Sequence, residues 1–298
     1  MMNKEQNNLA IKKIPTEQGM MKPSPAYLLP FWLLFPAVAV IVLLYIQPFV
    51  ASFWGSFITR KGEFGLQNYQ VVLDRYLQDV YFTFAVTIFS TAVATILSIA
   101  LGVYLRLSQG WLHRMVSALY RLPIFLPYVV IAQMMRSFLA PHGILNLFLA
   151  QLNLIDLEKP LQLFNWIGLS FGFIWKETPF MILLIVGGFQ MIDNSYIEAA
   201  KSVGANLYQI ITRVLIPMNK QTILVAVTLV FCSLVGCFSF PYMLIGGKTP
   251  STITIDIAHR VNYFRDYGVA NALGVFSYIM VSILAIYYVL NMRKGLYD

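Results

Sequence analysis

The sequence predicts an all-α integral membrane protein with six transmembrane helices, and three observations carry that prediction. Hydrophobic residues make up 58% of the 298 residues, charged residues only 11%, and the mean hydropathy is +0.69. A soluble domain carries roughly 25% charged residues. Apolar runs recur six times at the length of about 20 residues that a helix needs to cross the hydrocarbon core. The basic residues lie beside these runs, so a water-soluble enzyme is not the expected class.

The six runs define a membrane domain over residues 27–291, between a polar tail at 1–26 and a short tail at 292–298. The predicted spans are 27–50, 81–107, 119–139, 166–190, 219–245 and 271–291. Prolines occur inside the first span (Pro36) and the third (Pro123 and Pro127). Neighbouring helices can satisfy the backbone groups that a proline frees in a membrane helix. The prolines are therefore compatible with spans.

The charges orient the chain with both termini in the cytoplasm. With the N-terminus inside, the inner segments carry twelve Lys or Arg and five acids, whereas the outer segments carry seven of each. Positive loops tend to stay cytoplasmic. The pI of 9.4 is thus explained as a topology signal, and nucleic acid is not an expected partner.

The inner loop at 191–220 is patterned as an amphipathic helix. Its apolar positions recur at helical spacing and are Ile197, Ala200, Gly204, Leu207, Ile211 and Val214. Ser195 and Glu198 have the spacing of a capping box, and Gly204 predicts a turn or a close contact. Pro217 is expected to end the element. The pattern alone fits a helix on lipid headgroups, a connector under the bundle, or a helix that docks a partner protein.

Residues 198–217, EAAKSVGANLYQIITRVLIP, resemble the EAA loop of bacterial ABC-importer permeases. In that family the loop forms a coupling helix that docks on a cytoplasmic ATPase. The resemblance implies a docking role for Glu198, Ala199, Ala200, Gly204, Ala205, Ile216 and Pro217. It also implies the six-span fold of small permeases in the bacterial cytoplasmic membrane, a second permease that is more often a different chain, and a solute-binding protein outside the cell.

The energy source is expected on another subunit, because no GxxxxGK[ST] motif occurs in the chain. The resemblance implies that ATP and Mg²⁺ bind to the partner ATPase and that this chain, which is not an enzyme, carries no cofactor. An ATP-independent secondary transporter or channel is the alternative from another class. It would require coupling charges in the spans and an inverted repeat, and it would not account for the EAA loop.

The solute is less well defined by the sequence. The segments FSFPYMLIGGKTPSTITIDI at 238–257 and RDYGVANALG at 265–274 resemble the spermidine/putrescine branch, which also contains ferric-ion and phosphonate permeases. SVGA at 202–205 departs from the Asp-Gly-Ala of sugar permeases in the same direction. A polyamine is slightly favoured, while ferric ion, phosphonate and sugar stay open.

Four residues are candidates for the translocation path. Lys176 and Glu177 lie near the middle of the fourth span, where charges are costly and face a partner or a water-filled route. Glu177 would suit a cationic solute, but pairing with another helix explains the same residue. Phe240 and Tyr242 could form an aromatic gate, although aromatic belts at the membrane interface are common. Cys232, Cys237 and the three separated histidines offer no metal-ligand spacing.

Overall fold

The computed structural model describes residues 29–246 and 250–294, and most of the described residues are helical. The predicted tail at 1–26 lies outside the described residues. The tail predicted at 292–298 is described only at its start, where the last helix continues to Lys294. The chain divides into two compact units, Met1–Ala51 and Ser52–Asp298.

The first unit contains the start of the first span. Helix α1 (Leu29–Ile41) includes Pro36 and is followed by a π-helical turn (Val42–Ile46) and by α2 (Gln47–Gly55). Leu34–Gly55 is long and apolar enough to cross a membrane. The predicted first span therefore corresponds to a helix that is continuous through Pro36.

The second unit begins within α2 and holds the remaining helices. These are α3 (Gln67–Arg75), α4 (Leu77–Leu107), α5 (Trp111–Leu119), α6 (Tyr128–Leu139), α7 (Ile144–Gln151), α8 (Trp166–Gln190), α9 (Asn194–Ser202), α10 (Leu207–Ile210), α11 (Ile216–Met218), α12 (Lys220–Val235), α13 (Ser239–Ile245), α14 (Ile253–His259) and α15 (Tyr267–Lys294). A 3₁₀ turn lies at Leu122–Phe125, and π-helical turns lie at Ile211–Leu215 and Arg260–Phe264.

Three helices of this unit match predicted spans. Leu77–Leu107, Trp166–Gln190 and Tyr267–Leu290 have the length and hydropathy of membrane helices. The fourth span agrees with its prediction at both ends. At its start the Asn165 side chain accepts a hydrogen bond from the Ile167 N–H and caps the first turn. Together with the first span they make four candidates among the described residues, or up to six if each bent pair of helices is one span.

The third and fifth spans were predicted as single helices, and both are interrupted. Helices bend by 109° between Trp111–Phe125 and Tyr128–Gln151. Pro123 and Pro127 lie at this break. They account for it, because proline lacks the N–H that would continue the helix. In the fifth span α12 ends at Val235, Gly236 follows as the C-cap, and α13 starts at Ser239. Apolar length predicted these spans, but not the breaks within them.

Helices α4 and α8 pack along each other and form the centre of the second unit. Their interface combines apolar side chains such as Ala94, Ile185 and Phe189 with small polar ones. The Ser98 hydroxyl donates to the Thr178 carbonyl at 3.2 Å. Small residues let membrane helices approach closely, and hydroxyls hydrogen-bond between them. Both helices end at the predicted cytoplasmic side, where the inner loop begins.

Candidate functional site

The inner loop is a helix–turn–helix whose turn is at Gly204. Helix α9 ends at Ser202, and Gly204 adopts a φ of +79°, a left-handed conformation that favours glycine. The Gly204 N–H donates to the Lys201 carbonyl at 2.9 Å, and the Ala205 N–H donates to the Ala200 carbonyl at 3.0 Å. This pair of bonds is the Schellman motif that closes a helix C-terminus. The turn predicted at Gly204 is confirmed.

The helix caps differ from the predicted capping box. Asp193, not Ser195, caps α9, and its side chain accepts a hydrogen bond from the Ser195 N–H at 2.8 Å. That bond lowers the pKa of the Asp193 carboxyl below its usual range. A capping box is present one helix later, where Asn206 and Gln209 exchange bonds of 2.9 Å. The prediction placed the start of α9 two residues too late.

The predicted apolar face is interrupted at the turn and resumes at Ile211, which packs against the core. Ile197 is buried, but Leu207 on the same predicted face is 60% exposed. Ile210 and Leu215 are the buried residues of the helical segment after the turn, Leu207–Met218. The turn at Gly204 separates two helical segments, so the prediction of one continuous amphipathic helix over 197–214 was wrong. The helical element does not end at Pro217 as predicted. Pro217 lies inside α11, and the chain bends by 72° at Asn219.

The turn carries a group of exposed apolar side chains that sequence reasoning missed. We call Val203, Leu207 and Tyr208 the loop tip, and they are 84%, 60% and 74% exposed. The residues implied by the resemblance lie before, at and after the turn. Glu198, Ala199, Gly204 and Pro217 are exposed, whereas Ala200, Ala205 and Ile216 are partly buried. The signal that could have located the tip was Gly204 within the helical pattern, followed by Asn206 and Gln209 at capping-box spacing.

Lys176 and Glu177 make separate contacts within the second unit. Glu177 is buried and accepts a hydrogen bond from the Tyr128 hydroxyl, which lies 2.9 Å from the Ser233 hydroxyl. The Lys176 ammonium donates to the carbonyls of Pro123 and Ile124 at 3.3 and 3.4 Å. Both charges therefore have partners on neighbouring elements, as the pairing explanation expects. Their role in a translocation path stays a prediction.

The two aromatic candidates lie in different environments. Phe240 is fully buried, with its ring 5.3 Å from that of Phe173. Tyr242 is 40% exposed and stacks on Phe238 at 5.2 Å. Phe240 serves as a packing residue in this conformation, whereas Tyr242 is partly exposed, and the role of both in a translocation path stays a prediction.

A groove of about 790 Å³ lies on the second unit between α6, α7, α8 and α13. Its rings include Phe138 and Phe171, which stack at 6.1 Å, and its polar side chains are Gln133 and Ser137. The Arg136 guanidinium lies beside it and donates to the Met243 carbonyl at 3.2 Å. The full lining is Val129, Val130, Gln133, Met134, Met135, Ser137, Phe138, Ile144, Phe171, Trp175 and Met243.

The described residues contain no group of three or more His, Cys, Asp or Glu side chains placed to hold a metal ion. The apolar helices, the interrupted spans and the inner helix–turn–helix are those of a helical membrane protein with several spans.

The comparisons with known proteins identify the family. Residues 94–294 match the family described as "Binding-protein-dependent transport system inner membrane component", and the chain belongs to that family. It is accordingly the permease subunit of an ABC importer, a multi-pass inner-membrane protein whose ATPase is a separate subunit and which works with a second permease and a binding protein.

Relatives of known substrate class include both sugar and polyamine permeases. The chain is 26% identical over 281 residues to the trehalose/maltose permease MalF of Thermococcus litoralis, covering 87% of this chain and 91% of that protein. It is 28% identical to the trehalose permease SugA of Mycobacterium tuberculosis, covering 88% and 87%. The spermidine/putrescine permease PotB of Escherichia coli is 24% identical, covering 83% and 92%.

Solved structures support the same fold. A chain of the bacterial alginate ABC transporter, in complex with its alginate-bound periplasmic protein, has a TM-score of 0.76 at 19% identity, covering 90% of this chain and 96% of that one. A chain of the MetNI methionine ABC transporter has a TM-score of 0.55 at 21% identity, covering 73% and 94%. The predicted all-helical permease fold is confirmed.

Proposed function

We propose that the loop tip and the EAA residues of α9 form the ATPase-docking surface of this permease. Val203, Leu207 and Tyr208 are large apolar side chains exposed together on a polar loop. Contiguous exposed apolar side chains with a polar rim mark protein interfaces. Glu198 and Ala199 supply the adjoining polar and small positions. The exposed tip is the observation that carries this proposal.

In this proposal both termini and the loop face the cytoplasm, as the surplus of Lys and Arg on the inner segments indicates. The partner ATPase binds ATP and Mg²⁺. Closure of the ATPase dimer moves the loop, and the loop shifts the spans between two arrangements with access from opposite sides. Such a switch requires contacts that differ between the two states.

A matched pair of leucines tests the docking surface. Leu207 is 60% exposed at the tip and Leu154 is 65% exposed on the predicted outer side. The tagged chain is co-expressed with its genomic neighbours, and ATPase co-purification is measured. We expect Leu207→Asp to abolish recovery of the ATPase and Leu154→Asp to retain it. Retention in both variants, with both chains correctly inserted, would contradict the docking surface.

We further propose that the groove forms one wall of the translocation path and that the solute is a saccharide. Aromatic rings such as Phe171 and Trp175 offer flat apolar faces, and Gln133 and Ser137 offer hydrogen bonds to hydroxyls. Sites for small polar molecules combine such walls with a few placed polar groups. The sugar permeases among the relatives point in the same direction.

Electrostatics separates a saccharide from the polyamine that the sequence slightly favoured. The lining of the groove contains no carboxylate, and the Arg136 guanidinium lies beside it. The nearby Glu177 is buried against Tyr128. A polycation would therefore meet a positive charge and no exposed acid in this groove. A neutral or anionic sugar meets no such repulsion.

Uptake by the reconstituted transporter, with its binding protein, tests the solute class. Labelled trehalose, maltose and spermidine are compared in proteoliposomes at equal protein. We expect sugar uptake that falls in Gln133→Ala and is unchanged in Gln151→Ala, an exposed glutamine at the end of α7. Spermidine uptake that rises in Arg136→Gln, without sugar uptake, would replace the saccharide by a polyamine.

A further inference from the structure

The inner loop leaves α8 at a point that Arg106 of α4 holds in place. The Arg106 Nε donates to the Phe189 carbonyl at 2.9 Å, in the last turn of α8. Its Nη2 donates to the Ile192 carbonyl at 2.9 Å and to Asn194 Oδ1 at 2.6 Å. One guanidinium therefore joins the end of α4, the end of α8 and the first residue of α9. The last carbonyls of a helix lack partners within it, so they are available for such a contact.

The loop returns to the same turn of α8 through Asn219. This residue lies between α11 and α12, is buried, and donates through Nδ2 to the Ile185 carbonyl at 3.0 Å. Gly188 of α8 allows this approach, since a Cβ atom there would lie 1.9 Å from Asn219 Oδ1. The start of the loop is thus bonded to Arg106 of α4, and its end is bonded to the Ile185 carbonyl of α8.

We propose that Arg106 and Asn219 form a clamp that makes the coupling loop move as one piece with α4 and α8. The inference rests on the docking function proposed above and extends it. Neither residue is at the exposed tip, so each is a positioning residue that acts through the backbone of α8. Without the clamp, movement of the docked ATPase would bend the loop instead of displacing the spans.

Geometry explains why the clamp requires an arginine at position 106. A guanidinium presents several N–H donors in a rigid planar fork, whereas a lysine presents three donors on one nitrogen. Arg106 reaches three acceptors on two consecutive segments, which a single ammonium nitrogen would not span. The apolar contacts of Ile192, Ile197 and Leu215 with the core hold the loop against α8. Such contacts are non-directional, so orientation depends on the hydrogen bonds.

The test compares Arg106→Lys, Arg106→Gln and Asn219→Ala with Arg114→Gln in the assembled transporter. Arg114 is an exposed arginine on the same predicted side. The readouts are ATPase co-purification and the amount of solute transported per ATP hydrolysed. For the clamp variants we expect the ATPase to be retained and the ratio to fall by about 2- to 30-fold, the range for residues that link coupled sites. Arg114→Gln should leave the ratio unchanged.

A second readout does not depend on the ATPase. A spin label on Val203→Cys, with Cys232 and Cys237 replaced by alanine, reports the mobility of the tip in the purified chain. We expect greater mobility in Arg106→Lys and Arg106→Gln and the native value in Arg114→Gln. Unchanged mobility, or hydrolysis and transport that fall together at a constant ratio, would overturn the clamp. If the native chain binds no ATPase, the docking function fails and the label alone decides the clamp.

Discussion

Two adjacent glycines near the end of α8 allow the Asn219 contact to be measured. Gly187 has no heavy atom within 4 Å of an added Cβ, whereas a Cβ on Gly188 would lie 1.9 Å from Asn219 Oδ1 and 2.7 Å from its Cγ. Asn219 is buried and its amide is bonded to the Ile185 carbonyl. Alanine at 188 must therefore displace Asn219, while alanine at 187 meets open space.

The expected cost follows from the bond that is lost. Leaving a buried hydrogen-bonding group unpaired costs about 1–3 kcal/mol. The gain in helix propensity from glycine to alanine is the same in both variants. Gly188→Ala is therefore expected to lower the free energy of unfolding by about 1–3 kcal/mol relative to Gly187→Ala.

The assay is reversible unfolding of the purified chain in mixed detergent micelles, followed by circular dichroism. The double variant Gly188→Ala/Asn219→Ala measures the coupling, because the cost of alanine at 188 should largely vanish once Asn219 is shortened. Equal stability of the two alanine variants would refute the close contact. If alanine at 188 still lowers the stability by the full amount in the Asn219→Ala background, the cost comes from a contact with another residue.

Two further predictions concern buried polar groups. Tyr128→Phe removes the hydroxyl bonded to Glu177 and is expected to lower the free energy of unfolding by about 1–3 kcal/mol. The control is Tyr81→Phe, at a tyrosine that is 64% exposed. Equal effects of the two substitutions on unfolding in detergent would contradict the contact. Burial, with the charge of Asp79, raises the pKa of Asp256 to about 7 against the opposing effects of Ser251 and Arg260. The folded state then binds the extra proton, so stability from Asp256 is fully present below about pH 4 and is lost as the pH rises through 7. In Asp256→Asn the free energy of unfolding should fall less between about pH 4 and pH 7 than in the native chain. Parallel curves of stability against pH would contradict the assignment of this pH dependence to Asp256.

The sequence predicted what depends on local composition. The fourth span was located at both ends because its apolar run is bounded by Asn165 and by the polar loop after Gln190. The turn at Gly204 was predicted because a glycine interrupted a helical pattern. Asp193 was missed as a cap because Ser195 and Glu198 offered a familiar spacing.

Long-range contacts were beyond the sequence. Arg106 counted only as one more positive charge on an inner segment, since nothing local indicates that it bonds to carbonyls more than 80 residues away. Glu177 and Tyr128 are likewise 49 residues apart. The groove combines residues from four helices, so its lack of a carboxylate became visible only after folding. That distribution of charge shifted the expected solute from a polyamine to a saccharide.

Cross-linking in the assembled transporter shows whether the ATPase docks on the loop tip. A photoreactive maleimide is attached to Val203→Cys at the tip, or to Leu154→Cys on the predicted outer side, with Cys232 and Cys237 replaced by alanine. We expect a covalent product between the Val203→Cys chain and the ATPase and no such product from Leu154→Cys. A cross-link to the ATPase from position 154, or none from position 203 in an intact complex, would contradict docking on the loop tip.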